Sequence, residues 1–505
     1  MARASASSVS EENNLSLAEL IPPRILPRVL GRWDLIVVYI SIIYASYGSG
    51  QMAGAGWQSL SIWILAYLIF LVPAGMCSLE LGNLFPEEGG VYVWASKTMG
   101  KLPGFMGGWL SWMPVFGAIT PWTAIVVSYF STAFGWELQL WQQVGLQVLA
   151  VWAAVFVALF SLRSAQKVVN RLFYIYAALS ILTFVVAIAY AIANGSATPL
   201  PSSAAEWMPN LQENGAVFAL AVLLLLGVET PFNMGVEMKS VNKAAPWMVF
   251  GGSFILGVFY LMTTSGVLMT TPLGEADPYV ALAVLYGKAG LGWLVGVTGF
   301  LYGFCAIAQH VCYQYSYSRL LFISGIEKHL PKVFAYVDPR TRTPVTAILM
   351  QGAIITAIVL IMYSNSNLTV ATQVLLASIT VVWCISNYFF IFPVAIARRI
   401  FPHLYSEPGR IAWKIPGGMI GAWLTILIAT IGNTIAIYYC FMAPWVPDMP
   451  VSAWAPQVAT VSGIAIAIGF IIYFVNLKQS GSVNVDDELA QYAFLESDTP
   501  EDKNS

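Results

Sequence analysis

The sequence contains a succession of long apolar stretches, separated by charged residues or by proline and glycine. About 20 apolar residues in a helix cross the hydrocarbon core of a bilayer, which is about 30 Å thick. Hydrophobic residues make up 58% of the chain and charged residues 10%, whereas roughly a quarter of the residues of a typical soluble domain are charged. The chain is therefore predicted to be an all-α polytopic membrane protein that lies in a lipid bilayer.

Hydropathy and the charged or Pro/Gly breaks predict twelve membrane-spanning helices. Placing the amino terminus in the cytosol puts nearly all lysines and arginines between the spans on the cytosolic side, and only Lys288 on the other. The positive-inside rule favours this orientation, so both termini are predicted to be cytosolic, in a plasma (inner) membrane. The predicted spans are 33–56, 59–83, 103–134, 139–161, 169–193, 215–237, 246–271, 291–320, 344–363, 367–396, 418–442 and 454–477.

Two of these spans are interrupted by helix-weakening residues, at Tyr47 to Gly50 and at Gly227 to Pro231. An unwound turn at membrane depth survives only where protein or a water-filled cavity covers its backbone. Matching breaks in two halves of a chain indicate the substrate site of a transporter.

The two breaks are five crossings apart, which predicts a five-plus-five inverted repeat. The predicted organisation is a cytosolic segment 1–32, a first repeat 33–193, a second repeat 215–396, a loop with two further spans 397–477, and an acidic, disordered cytosolic tail 478–505. A short extracellular helix is predicted between Asp277 and Gly287.

Several motifs occur in a defined order along the chain. They are Gly48-Ser49-Gly50, Glu80 followed by Phe85-Pro86-Glu87-Glu88-Gly89-Gly90-Val91-Tyr92, Gly227-Val228-Glu229 followed by Glu237, and Ser318-Arg319 followed by Leu330-Pro331. In this order the chain resembles the amino acid/polyamine/organocation (APC) transporter superfamily, which implies the inverted-repeat fold of bacterial leucine transporters (the LeuT fold).

Two further segments resemble the branch of glutamate/GABA exchangers and related amino acid permeases. These are Gly90-Val91-Tyr92-Val93-Trp94 and Trp413-Lys414-Ile415-Pro416-Gly417-Gly418. One departure is Gly325-Ile326-Glu327-Lys328, which replaces the family's Ala-Arg-Asp-Gly run.

The breaks carry the predicted substrate site. Free N–H groups at the start of the second half-helix of the first span suit a carboxylate, and carbonyls freed by Gly227 and Pro231 suit an ammonium group. The alternative is that the glycines only allow close helix packing. A polar stripe on the eighth span adds two candidates. The predicted substrate-binding residues are Tyr47, Gly48, Ser49, Gly50, Gln51, Gly227, Val228, Glu229, Thr230, Tyr302 and Gln309.

Glu229 is the predicted proton-coupling residue, because an ionised carboxylate in mid-membrane is costly unless it is paired. The alternative is a permanently neutral glutamic acid that braces the break. No metal site or cofactor is predicted, since the three histidines lie in different regions. Sodium coupling is disfavoured because no Ser or Thr lies between Leu301 and Tyr315 in the eighth span.

These observations predict a secondary transporter of amino acids or related amines that works by alternating access, as an exchanger or a proton-coupled symporter. An enzyme is not predicted, because no catalytic set converges in the spans, and neither is a nucleic-acid partner. The alternative is a transport-inactive amino acid sensor or membrane scaffold of the same fold. The sequence leaves the substrate's identity and the oligomeric state open.

Overall fold

The computed structural model describes residues 16–364, 367–477 and 492. Within these ranges the chain is helical, and its extended pairing consists of two isolated bridges, Leu30 with Met238 and Glu88 with Met234. The predicted disordered tail lies outside the described residues, apart from Tyr492, whose hydroxyl donates to the Ala335 carbonyl at 2.8 Å.

Ten helices of the described residues are long and apolar enough to cross a membrane, and a bent pair makes an eleventh span. They are numbered here by their order among the twelve predicted spans. Span 1 is Arg32–Ile43 with Ser46–Ala55, bent by 40°. The others are span 2 Gln58–Leu84, span 3 Lys101–Phe134, span 4 Leu140–Ala158, span 5 Leu162–Asn194, span 7 Val241–Thr270, span 8 Gly292–Ile326, span 9 Val345–Tyr363, span 10 Leu368–Ile400, span 11 Gly418–Met442 and span 12 Val451–Asn476.

Span 6, predicted over 215–237, is not a continuous helix. Its α-helix, Leu211–Leu223, has 13 residues, and after an unwound segment only the 3-10 turn Thr230–Asn233 follows. Gly227 has φ +106°, a conformation that residues other than glycine rarely adopt. The structure therefore has ten or eleven membrane-crossing helices plus this half-helix, where the sequence predicts twelve full spans.

Shorter helices cap the ends of the bundle. Those on the face that carries the chain's first described residues are Leu17–Leu20, Pro22–Ile25, Gly90–Met99, Lys332–Ala335 and Pro402–Ser406, and those on the opposite face are Ala204–Trp207 and Ala281–Lys288. The last of these overlaps the short helix predicted between Asp277 and Gly287. We call the first face the N-terminal face.

Span 3 lies at the centre of the bundle and spans 4 and 12 at its periphery. In the most apolar 18-residue window of span 3, 89% of the residues are buried, against 28% in span 4 and in span 12. Span 3 packs along span 8 and contacts span 10. The broken segments of spans 1 and 6 are buried throughout, so both breaks lie in the protein interior rather than in lipid, as an unwound backbone requires.

Residues 16–30 close the N-terminal face. Leu17, Ile21 and Ile25 are buried, and the Ala18 N–H donates to Glu327 Oε1 at 2.8 Å. The Val29 and Leu30 N–H groups both donate to the Glu237 carbonyl at 2.9 Å.

A lysine fixes this segment to the helix Gly90–Met99. Lys97 Nζ lies 2.5 Å from Glu19 Oε1 and 2.7 Å from Glu87 Oε1. Burial opposes ionisation of Glu19, but the Lys97 ammonium outweighs it and lowers the pKa of that carboxyl below its usual value.

Glu80 joins span 2 to span 10 and to the loop before span 11. Its carboxylate is fully buried and accepts from Arg398 Nε at 2.7 Å and Nη2 at 2.6 Å. The Tyr405 hydroxyl and the Ile415 N–H complete its partners, at 2.9 and 2.7 Å. Glu80 is therefore a buried, paired carboxylate, and Ile415 of the Trp413 to Gly418 segment is one of the residues that hold it.

A packing prediction follows from the contact between spans 2 and 11. A Cβ at Gly432 would lie 2.4 Å from the Ile69 carbonyl oxygen, whereas a Cβ at Gly463 in span 12 would meet nothing within 4 Å. Overpacking of this kind costs about 1–3 kcal/mol. We expect Gly432→Ala to lower the melting temperature of the purified protein, measured by thermal unfolding in detergent, and Gly463→Ala to leave it unchanged. Equal melting temperatures for the two variants would contradict this account of the packing.

Candidate functional site

The break in span 1 lies at Tyr44 and Ala45, where both residues have extended backbone. The sequence places it at Tyr47 to Gly50, and this prediction is wrong by about one helical turn. The helix resumes at Ser46 and includes all four predicted residues. Glycines weaken a helix, but here close packing and not unwinding explains two of them.

Gly48 and Gly50 allow other segments of the protein to approach span 1 closely. A Cβ at Gly48 would lie 2.6 Å from Leu224 Cδ1, and a Cβ at Gly50 would lie 2.8 Å from the Pro278 carbonyl oxygen. The Ser49 hydroxyl is bonded to Thr263 Oγ1 of span 7 at 2.7 Å. These contacts are the close packing that the sequence leaves as the alternative for its glycines.

Tyrosine hydroxyls satisfy the backbone of the first break. The single O–H of Tyr260 in span 7 is shared between the carbonyls of Ile43 (2.7 Å) and Leu224 (3.0 Å), and its oxygen accepts from the Ala45 N–H (3.0 Å). The Ser46 N–H donates to the Tyr176 hydroxyl of span 5 at 2.8 Å. Tyr260 therefore contacts the broken segments of spans 1 and 6 simultaneously.

Span 8 satisfies two more carbonyls of the first break. The Tyr313 hydroxyl donates to the Ile42 carbonyl at 2.7 Å, and Gln309 Nε2 donates to the Tyr44 carbonyl. Neutral N–H and O–H donors thus occupy carbonyls that a hard cation would need as ligands. That sodium is not the coupling ion stays a prediction.

The break in span 6 leaves carbonyls without donors. The Gly227 carbonyl accepts from the Thr230 N–H at 3.1 Å, but among the hydrogen bonds of the described residues none reaches the carbonyls of Leu226 or Val228. In span 1, the Tyr47 N–H likewise has no acceptor in that part of the chain. Buried backbone groups are rarely left unpaired, so an N–H on one break and carbonyls on the other are available to a ligand.

A small cavity of about 20 Å³ lies between the two breaks. Its wall combines apolar side chains with the aromatic rings of Tyr47, Trp122, Tyr313 and Trp383, and no charged residue lines it. The Trp122 ring lies edge-on to Tyr313, with centroids 4.8 Å apart. The complete lining is Ile42, Ile43, Ala45, Tyr47, Ala118, Trp122, Leu223, Leu224, Leu226, Tyr313, Leu376 and Trp383, from spans 1, 3, 6, 8 and 10.

Glu229 is fully buried next to this cavity wall. Ser111 of span 3 donates to its Oε1 at 3.2 Å, and its Oε2 has no hydrogen-bond partner among the described residues. No ion pair of the described residues includes it. Thr230, the next residue, is bonded through its hydroxyl to Tyr317 at 2.7 Å.

Of the eleven predicted site residues, Tyr47 lines this cavity, and Gly50, Gln51 and Tyr302 lie away from it. Gln51 lines a separate space of about 220 Å³ beneath the loop that precedes Ala281–Lys288. The Tyr302 hydroxyl contacts Thr183 Oγ1 of span 5 at 3.1 Å, and its ring stacks on Tyr129. The structure therefore brings Tyr47, Gln309 and the 227–230 segment together around the breaks and leaves Gln51 and Tyr302 further out.

A larger cavity of about 410 Å³ lies on the side of the breaks opposite the N-terminal face. It is lined by hydroxyl and amide side chains of spans 3, 4, 9 and 10, including Ser128, Gln147 and Tyr363, and by Tyr279. No charged side chain lines it. On span 3 its lining begins at Thr120, between two residues of the small cavity.

Sequence reasoning missed the side chains that complete the breaks. Tyr176 and Tyr260 are the examples, and nothing in their local sequence marks them. The one usable signal is compositional, because a tyrosine in mid-span needs a hydrogen-bond partner and a broken neighbouring helix supplies one.

Comparison with known proteins gives a consistent result. A family profile described as amino acid permease matches residues 30–471. A probable agmatine/putrescine antiporter of Lactococcus lactis is 20% identical over 334 residues, which cover 65% of this chain and 71% of the antiporter. A glutamate/gamma-aminobutyrate antiporter of the same organism is 22% identical over 400 residues, covering 75% of this chain and 76% of the relative.

A solved structure shares the fold. The crystal structure of a manganese transporter of Eremococcus coleocola superposes with a TM-score of 0.57 at 14% identity, covering 89% of this chain and 94% of that chain. At this identity the similarity concerns the fold, which is the five-plus-five inverted repeat expected from the sequence.

The hydrogen bonds of Tyr260 generate a prediction. Tyr260→Phe removes one hydroxyl and leaves buried groups at both breaks without a partner, at a cost of about 1–3 kcal/mol. We expect a lower melting temperature, measured by thermal unfolding. Tyr438→Phe is the control, because the Tyr438 side chain is 54% exposed on the outside of span 11. Unchanged stability of Tyr260→Phe would show that the hydroxyl does not hold the breaks.

Proposed function

This chain belongs to the amino acid permease family, and we propose that it moves an amino acid or related amine by alternating access around the cavity between the two breaks. It is a multi-pass membrane transporter and not an enzyme. The observation that carries the mechanism is that Tyr47, whose N–H is unbonded, and Leu226, whose carbonyl is unbonded, line one cavity, with the unbonded Val228 carbonyl two residues further along span 6. In the proposed mechanism, residues 33–193 and 215–396 are the two inverted halves.

In the proposed binding mode the substrate's carboxylate accepts a hydrogen bond from the backbone N–H of Tyr47. Its ammonium group donates to the carbonyls of Leu226 and Val228. An amino acid needs more room than about 20 Å³, so binding requires side chains such as Trp122 and Tyr313 to move. Trp122 directly follows Thr120 and Pro121, which line the 410 Å³ cavity, so that cavity would be the route by which substrate enters.

The lining favours a neutral substrate. No charged side chain faces either cavity, and Glu229 is the acid nearest to the small cavity. The two antiporters compared above are named as a probable agmatine/putrescine antiporter and a glutamate/gamma-aminobutyrate antiporter. Fixed charge that would match those substrates is missing from the cavity walls of the described residues, so their specificities are not carried over.

The closed face and the open face fit one step of alternating access. Residues 16–30 cover the N-terminal face, while the 410 Å³ cavity lies open on the other. With both termini placed in the cytosol, the covered N-terminal face is the cytosolic one and the 410 Å³ cavity opens to the outside. The structure then corresponds to an outward-facing or occluded state. Movement of the N-terminal segment and of the 227–238 segment would then open the cytosolic side.

The function is tested by uptake of radiolabelled amino acids and amines into proteoliposomes, with and without internal substrate and an imposed pH gradient. Uptake that requires internal substrate would establish an exchanger. Uptake driven by the pH gradient into empty liposomes would establish proton symport. Binding without flux in any condition would support the sensor or scaffold instead.

We expect transport to be independent of sodium, because Gln309 and Tyr313 already donate hydrogen bonds to carbonyls of the first break. Replacing external and internal sodium with N-methylglucamine at constant ionic strength should leave the uptake rate unchanged, because no free set of oxygen ligands remains at the first break. A several-fold loss of uptake without sodium would contradict this prediction.

We expect Glu229 to determine how uptake depends on pH. If it carries the coupled proton, Glu229→Gln should abolish uptake driven by a pH gradient, while exchange of substrate for substrate persists. Glu206→Gln serves as the control, because Glu206 is exposed on the face opposite the N-terminal face, far from the breaks in sequence. If transport by Glu229→Gln keeps the pH dependence of the unmodified protein, the residue only braces the break.

A further inference from the structure

Three charged side chains lie fully buried beneath the N-terminal segment: Glu88, Glu237 and Arg319, each with 0% exposure. We call them the buried triad. Arg319 of span 8 makes two short hydrogen bonds to Glu237, from Nε at 2.9 Å and from Nη2 at 3.0 Å. Its Nη1 donates to the Tyr315 carbonyl at 2.8 Å. The guanidinium is therefore directed at Glu237.

Glu88 interacts with Arg319 at a longer distance than Glu237 does. Its Oε1 lies 3.7 Å from Arg319 Nε, beyond hydrogen-bond length, and has no hydrogen-bond partner among the described residues. Its Oε2 accepts only the Val236 N–H, at 3.1 Å. The carboxyl thus has an unbonded oxygen in the protein interior.

The buried triad lacks a second positive charge. Two ionised carboxylates and one guanidinium would leave one uncompensated negative charge in a fully buried site. Burying an unpaired charge is very costly, and such a group neutralises instead. The geometry selects Glu88 as the group that carries the proton, because Glu237 holds both short bonds to the arginine.

The charged groups around the triad do not remove this excess. The turn after span 6 supplies Glu237 and span 8 supplies Arg319, with the Tyr315 ring beyond it. The helix Gly90–Met99 supplies Lys97, but its ammonium is bound by Glu87 and Glu19. From the end of span 8, Glu327 adds a further acid, which accepts from the N-terminal segment. No additional cation of the described residues forms an ion pair with Glu88.

Glu88 is also part of the contact that closes this face. Its backbone forms an extended bridge with Met234, and the Gly89 N–H donates to the Asn233 carbonyl at 3.0 Å. A Cβ at Gly235 would lie 2.4 Å from the Glu87 carbonyl oxygen. The loop after span 2 and the end of span 6 therefore interlock at Glu88, and opening the N-terminal face requires them to separate.

We propose that Glu88 binds a proton while the N-terminal face is closed and releases it when that face opens to water. This inference deepens the proposed function, on which it rests, by placing a proton site at the gate in addition to Glu229. The proton leaves the Glu88 carboxyl for water as the loop after span 2 separates from span 6, and it returns from water when the face closes.

The electrostatics of the closed state agree with this assignment. Burial, and then the neighbouring Glu237 carboxylate, raise the pKa of Glu88 well above its usual value, against the opposing effect of Arg319. An exposed glutamate titrates at about 4.3. The raised pKa in the closed state means that closure is favoured at low pH and weakened as pH rises towards the raised value.

Linkage gives the size of the effect. One proton released on opening changes the ratio of open to closed molecules about tenfold per pH unit, between the ordinary pKa and the raised one. We expect this slope over at least one pH unit above the ordinary pKa of a glutamate, about 4.3.

The test measures opening by the labelling rate of a cysteine buried behind Met234. The Ser316 hydroxyl contacts Met234 Sδ at 3.9 Å, so Ser316→Cys reports separation at this point. Ser406→Cys, exposed at the same face, gives the pH dependence of the maleimide reaction itself. All five native cysteines are buried. The protein is held in lipid nanodiscs, where a hydrophilic maleimide reaches both faces.

The ratio of the two labelling rates should rise about tenfold per pH unit with Glu88 present. With Glu88→Gln, which keeps an acceptor for the Val236 N–H, the ratio should be independent of pH. Glu407→Gln is the matched control, because it removes an exposed acid that follows the helix Pro402–Ser406 on the same face and should keep the slope. Glu88→Asp retains a titratable group and should also keep it.

A flat ratio in the protein with Glu88, or an unchanged slope with Glu88→Gln, would overturn the proposal. The first of these outcomes does not depend on whether the Gln variant folds. The labelling does not require flux. If the unmodified protein shows no uptake, but its labelling ratio depends on pH and Glu88→Gln abolishes that dependence, the proton site is supported and the transport proposal is rejected. Uptake together with an unchanged slope would do the reverse.

Discussion

The backbone of the two interrupted spans sets the requirement that the rest of the structure meets. Unbonded N–H and C=O groups in mid-membrane cost several kcal/mol each. Span 7 contributes Tyr260, span 5 contributes Tyr176, and span 8 contributes Gln309 and Tyr313 to cover them. The Tyr47 N–H and the carbonyls of Leu226 and Val228 are among the groups that no hydrogen bond of the described residues reaches, as are the N–H groups of Gly227 and Val228. The surrounding helices thus cover part of both breaks and leave other backbone groups available to a ligand.

Charge is distributed in the same selective way. The cavity walls carry no ionised side chain, whereas the N-terminal face contains Glu19, Glu87, Lys97 and the buried triad. Electrostatic interactions therefore hold the closed face, and backbone groups are left for the substrate. A neutral substrate site and a charged gate can accordingly be altered by separate mutations.

Much of the fold could be predicted from hydropathy, because a membrane-crossing helix has to be long and apolar. The eleven spans other than the sixth agree with the predicted ranges to within a few residues at most ends. The break in span 6 could be located because Gly227 and Pro231 mark it directly. The break in span 1 could not, since Tyr44 and Ala45 are ordinary helix residues and distant hydroxyls determine their conformation. Likewise, no local pattern pairs Glu88 with an arginine of span 8, because that contact depends on tertiary structure.

The N-terminal segment has a consequence for how the protein is made. Its Ala18 N–H is bonded to Glu327, a residue 309 positions later in the chain, and its Val29 and Leu30 N–H groups are bonded to Glu237. During synthesis these partners leave the ribosome long after the segment itself. Residues 16–30 must therefore remain undocked until span 8 has been inserted, and closing this face is one of the last steps in the biogenesis of the bundle.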